Sequence, residues 1–78
     1  MTINDRIEIN PRIMLGKPVV RGTRITVELI LRKLAEDASA VVLLDAFPTL
    51  KKKDINAALV YAADALAHEE TLLTRSRK

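Results

Sequence analysis

Cysteine and tryptophan are both missing from this 78-residue chain, and histidine, tyrosine and phenylalanine each occur once. Without cysteine there can be no disulfide and no thiolate metal site. His68 cannot build a zinc centre on its own. No serine and acid accompany it as a triad would require, and no paired carboxylates mark a cleft. The sequence therefore predicts a chain that is not an enzyme, uses no metal and no cofactor, and works by binding. Long apolar runs are missing as well. The longest covers residues 57–63, far short of the ~20 needed to span a bilayer. Asn4, Asp5, Arg6 and Glu8 interrupt the N-terminal isoleucines, unlike the apolar region of a signal peptide. A soluble, cytoplasmic protein is expected, with no membrane and no small-molecule substrate as partner.

Chains this short bury a smaller share of their surface than larger domains, and their stability is marginal. Disulfides and metals being excluded, self-association is the staple that remains, so a homodimer is expected. Net charge is +3, unevenly spread. Residues 1–27 carry +3, residues 28–50 carry −2 and residues 51–78 carry +2. Basic residues gather in the N-terminal arm, at Lys51-Lys52-Lys53 and at Arg75, Arg77 and Lys78. Such clustering fits a nucleic-acid binder or an ordinary solvated surface.

Residues 1–25 read as an extended arm. Ile7 and Ile9 alternate with polar neighbours as a half-buried strand would, and Pro11 ends the pattern because it has no N–H to donate. Residues 17–21 form a second short extended piece, and Gly22 supplies a turn. A first helix starts at Thr26, its N-cap. Val27, Ile30, Leu31, Leu34 and Ala35 give it an apolar stripe. Ser39 caps a short second helix that stops before Pro48. Its core face is Leu43, Leu44 and Phe47, which leaves Val41 and Val42 exposed for a partner. The third helix is expected over about residues 52–71, with Ile55, Ala58, Leu59, Ala62 and Leu66 as its buried stripe and residues 74–78 as a frayed basic tail. The second and third helices, joined by a tight turn, suggest a helix-turn-helix domain over residues 26–73. In such units the start of the third helix meets phosphate or base edges.

Three lysines at a helix start oppose the macrodipole, which favours anions there by ~0.3–1 kcal/mol. Either an anionic partner such as DNA phosphate resolves that conflict, or the run is merely exposed, with Asp54 and Thr49 compensating. Lys51, Lys52 and Lys53 are accordingly candidate phosphate contacts. Asn56, one turn on, is a candidate reader of an adenine edge. Arg21 and Arg24 flank a basic turn; they either grip phosphate or pair with acids such as Glu28 or Glu36. Gly16-Lys17 lacks the spacing of a P-loop.

The stretch Gly16-Lys17-Pro18-Val19-Val20-Arg21-Gly22-Thr23-Arg24-Ile25 resembles the hallmark segment of small prokaryotic proteins grouped as domain of unknown function 433. The similarity extends over about residues 6–66, through Phe47-Pro48, Asp54-Ile55, Ala57-Ala58-Leu59 and Tyr61-Ala62. It implies a mainly α fold: a three-helix, homeodomain-like or winged-helix-like bundle with a short extended β arm. It also implies a VapB-like antitoxin of a type II toxin–antitoxin system. Such a protein would bind a toxin of PIN-like ribonuclease fold and, through DNA, repress its own operon. A homodimerising protein-interaction module without DNA binding is the alternative. This chain departs from the family's usual pattern at Thr26, in place of a proline, at Val41 and Val42, in place of acids, and at residues 51–53. The valines favour a protein-binding face and the lysines an anion-binding one.

Overall fold

The computed structural model of the chain describes residues 4–36 and 39–76. Two short strands, β1 (Ile7–Glu8) and β2 (Val19–Val20), precede three helices, α1 (Val27–Ala35), α2 (Ala40–Ala46) and α3 (Lys52–Ser76). The fold is mainly α, as the sequence predicts.

The strands pair antiparallel, Ile7 opposite Val20 and Glu8 opposite Val19. Two pairs cannot hold a hairpin together in water, so packing must do it. Ile7, Val19 and Val20 are all buried. Ile9, expected on the same buried face as Ile7, is 58% exposed because the strand ends at Glu8. Val20 N–H donates to the Ile25 carbonyl at 2.9 Å, and Val27 N–H donates to the Pro18 carbonyl at 2.9 Å. The arm is therefore stitched to the start of α1 through its backbone.

Gly22 turns the chain between these bonds with φ +81°, a conformation that suits glycine. The Thr23 hydroxyl donates to the Val20 carbonyl at 2.8 Å and accepts from Ile25 N–H at 3.0 Å, closing the turn. Thr26 Oγ1 accepts from Leu29 N–H at 3.0 Å and Ser39 Oγ from Val42 N–H at 3.3 Å. Both predicted caps are in place, each worth ~1 kcal/mol.

The core gathers Ile7 and Val20 from the sheet, Val27 and Ile30 from α1, Leu43 from α2, Leu50, and Ile55, Ala57 and Ala58 from α3. Ile30, Leu43 and Val19 are the largest fully buried side chains, each contributing roughly 1.5–3 kcal/mol by leaving water. The predicted stripe of α3 is only partly right. Ile55 and Ala58 are buried, but Leu59 and Leu66 are exposed. Two reasons apply. Leu59, between buried Ala58 and half-buried Tyr61, lies on the side of a covered turn that faces away from the domain. Leu66 lies further along a 25-residue helix of about 37 Å. The helix also continues to Ser76, so residues 74–76 of the expected frayed tail are helical. Arg77 and Lys78 lie outside the described residues.

Between the strands, Met14, Leu15 and Gly16 all have positive φ, at 49°, 58° and 84°. Left-handed backbone costs a side-chain-bearing residue about 1 kcal/mol or more. Leu15 is 94% exposed and gains no packing in return. A Leu15→Gly substitution is expected to stabilise the fold by about 0.5–1 kcal/mol, read as a higher urea midpoint with an unchanged slope.

Candidate nucleic-acid interface and apolar faces

Asp54 lies at the third position of α3 and is only 4% exposed. Its Oδ2 accepts from the backbone N–H of Lys51 at 2.9 Å, the reach-back half of a capping box. Its Oδ1 accepts from the Arg6 guanidinium at 2.9 Å. Beside it, Asn4 Nδ2 donates to the Ala57 carbonyl at 2.7 Å. The arm is thus fastened to the first two turns of α3 by bonds spanning about fifty residues. The Lys51–Asp54 spacing was visible in the sequence; Arg6, 48 residues from its partner, was not.

This junction answers the question that the three lysines raised. Asp54 supplies the anion that the start of α3 requires, so the helix needs no external one to form. Lys51, Lys52 and Lys53 are all exposed, and none makes an ion pair among the described residues. They stand as uncompensated cations on a helix that is already capped. Asn56 is exposed one turn further on.

Arg21 belongs to the same junction. Its backbone N–H donates to the Arg6 carbonyl at 2.7 Å, and its Nε donates to the Asp5 carbonyl at 2.7 Å. Arg24 is exposed in the same turn. Neither arginine pairs with Glu28 or Glu36. Glu28 instead holds Arg32 at 3.0 Å and Lys17 at 3.3 Å, while Lys33 approaches Glu36 at 3.9 Å. The hydrogen bonds from Arg32 and then Lys17 keep the Glu28 carboxyl below its ordinary pKa. Arg21 is thereby tied to the arm at Asp5 and Arg6, and Arg6 is the arginine that reaches Asp54 beside Lys51.

The basic surface has an edge. A groove of about 630 Å³ runs between the arm and α3, past Lys52, Lys53 and Asn56 to Val60 and Asp64. Lys52, Asn56, Leu59 and Ala63 follow one another at helical spacing and all are exposed. Cations and an amide therefore occupy the first turns of the outward face, and apolar side chains and a carboxylate the next. The sequence reading missed this change because it assigned Leu59 to the core. Val41 and Val42 are 75% and 54% exposed on α2, as expected. A second, apolar notch of about 460 Å³ lies between Pro18, Leu31, Tyr61, Ala62 and Leu66. Among the described residues no cluster of three or more His, Asp or Glu is placed to hold a metal ion. No helix among them is long and apolar enough to cross a membrane.

A family profile described as "Protein of unknown function (DUF433)" matches residues 7–62, most of the chain. The chain belongs to the DUF433 family. It is also similar to the crystal structure of a DUF433 member protein from Anabaena variabilis ATCC 29413. That likeness has a TM-score of 0.75 and 26% identity, over 88% of this chain and 68% of the other. No curated protein matches it.

The DUF433 hallmark segment can now be read physically. Gly16 and Gly22 have positive φ, Val19 and Val20 are core, and Thr23 bridges the turn. Lys17 pairs with Glu28. Only the side chains of Arg21 and Arg24 face outward without an acidic partner. Asp54 is the residue whose loss should matter most. Asp54→Ala is expected to cost about 2 kcal/mol, since cap and ion pair go together. Asp54→Asn, which keeps an acceptor for Lys51 N–H, should cost about 1 kcal/mol; equilibrium urea unfolding of both variants measures the difference.

Proposed function

We propose that this DUF433 chain is an antitoxin-like transcriptional regulator, contacting DNA through the Arg21, Arg24, Lys51, Lys52, Lys53 and Asn56 surface and a toxin through an apolar one. The observation that carries the DNA half is the convergence of the arm and the start of α3. The arm that carries Arg6 and Arg21 docks there, and Asp54, which caps the helix, leaves the lysines without an ion pair among the described residues. Cations so arranged suit phosphates, which give affinity without sequence discrimination. Asn56, one turn on from them, is suited to reading an adenine edge. In this reading α3 engages DNA only through its first turns, because Val60 and Asp64 follow on the same groove. A PIN-like ribonuclease is the toxin class that the family resemblance implies. The chain itself is then cytoplasmic, non-catalytic and without a cofactor, and it acts as a homodimer.

A second reading, a homodimerising interaction module that does not bind DNA, is favoured by the exposed Val41, Val42, Leu59, Val60 and Leu66. So many exposed large apolar side chains on one small domain favour protein partners. Salt separates the two readings. Affinity for duplex DNA from upstream of the protein's own gene should fall steeply with salt. Replacing Lys51, Lys52 and Lys53 by Ala should reduce the log–log slope by roughly 2–3. Absence of binding at low salt would leave only the interaction module. For the toxin half, the chain is expected to co-purify with the product of the adjacent gene. The pair Val41→Glu and Val42→Glu should abolish that capture without loss of helical signal; undiminished capture would clear the α2 patch of this role.

A further inference from the structure

The outward face of α3 is charged with opposite signs at its two ends. Lys52, Lys53 and Asn56 open it, Leu59, Val60 and Ala63 occupy its middle, and Asp64 follows. Lys53, Asn56, Val60 and Asp64 share one groove with the arm, so they line a single seam. Residues 63–66 are exposed, although Ala65 and Leu66 border the notch shared with Pro18 and Leu31.

We propose that a second copy of this chain lays its own α3 antiparallel along this seam, the two helices crossing near Val60 and joined at both ends by Lys53–Asp64 pairs. This deepens the homodimer element of the proposed function and rests on it. Charge decides both the occupant and its direction. A parallel copy would stack lysine on lysine and aspartate on aspartate. An antiparallel copy sets each basic end against an acidic one. With a rise of about 1.5 Å per residue, a crossing at Val60 brings Asn56 level with the partner's Asp64, and Lys53 lies only about 4.5 Å further along. A lysine side chain spans that offset. Ala63 keeps the seam narrow beside Val60, which suits interaxial distances of about 8–10 Å. The apolar centre of Leu59 and Val60 is then covered by its own symmetry mate, as an isologous two-fold contact demands. The seam takes Lys53 and Asn56 into the dimer, so the surface left to a polyanion narrows to Arg21, Arg24, Lys51 and Lys52.

Sedimentation equilibrium on the full chain without DNA, over about 10 µM to 1 mM, reads the assembly directly. A monomer–dimer equilibrium is expected. Val60→Glu should weaken it by more than about tenfold, because two like charges then meet at the crossing. Lys53→Glu and Asp64→Lys should each weaken it by about tenfold, since each creates two like-charge contacts. The combined variant should return to within about threefold of the parent. All these positions are exposed, so the circular dichroism of every variant should match the parent. A chain that stays monomeric throughout would overturn the proposal. So would a dimer indifferent to Val60→Glu, or a double variant no tighter than the singles. No nucleic acid is present, so this experiment reads the dimer alone; a Lys51→Ala, Lys52→Ala pair, which leaves the Lys53–Asp64 contacts in place, keeps the salt test separate from it.

Discussion

Arg6 and Asp54 meet at 2.9 Å where the N-terminal arm reaches the start of α3. An aspartate this buried is costly unless its lone pairs are taken. Here one oxygen takes the Arg6 guanidinium and the other takes Lys51 N–H. The pair is lopsided: Asp54 is enclosed while Arg6 keeps a solvated side. Its worth therefore lies more in position than in Coulomb energy. It holds a strand pair too short to stand alone against the longest helix, and it caps that helix at the same time. The arm that it holds places Ile7 and Val20 in one core with Ile55 and Ala58.

The same junction separates structure from function at the lysine run. Three cations at a helix start are unfavourable by a few tenths to one kcal/mol each if nothing offsets them. The Asp54 cap offsets them from inside. The lysines are thus not evidence of a helix waiting for a phosphate, which was the simplest reading of the sequence. They are exposed cations on a helix capped from within, beside an arm whose Arg6 reaches Asp54. What supports a polyanion contact is that convergence.

The DUF433 hallmark segment follows a similar logic. Its glycines provide left-handed backbone, its valines fill the core and its threonine closes a turn. A motif whose residues are taken up by folding identifies an architecture more than an activity. The activity has to be sought in the side chains left over: Arg21 and Arg24, the lysines, and the apolar rows of α2 and α3. α3 carries both kinds of surface. Its first turns are basic, its middle is apolar, and its far half extends past the domain along a molecule 47 Å in its longest dimension.

Local signals were legible in the sequence because their causes are local. Thr26 and Ser39 cap helices through bonds to backbone three residues away, and Val27, Ile30 and Leu43 fall on core faces by helical period. The turn at Gly22 follows from glycine's freedom at positive φ, and the exposure of Val41 and Val42 from their place on a short helix. Contacts between distant segments were not legible. Nothing in the order of residues says that Arg6 will find Asp54, or that Arg21 will bond to Asp5 and not to Glu28. Leu59 and Leu66 lie on the stripe that periodicity assigns to the core, yet they are exposed. Periodicity records which residues share a face, whereas burial depends on how that face is turned toward its neighbours, as at Leu59, and on how far along the helix they reach, as at Leu66. In this chain α1 and α2 are short and α3 is long, and that mismatch was settled only when the helices packed.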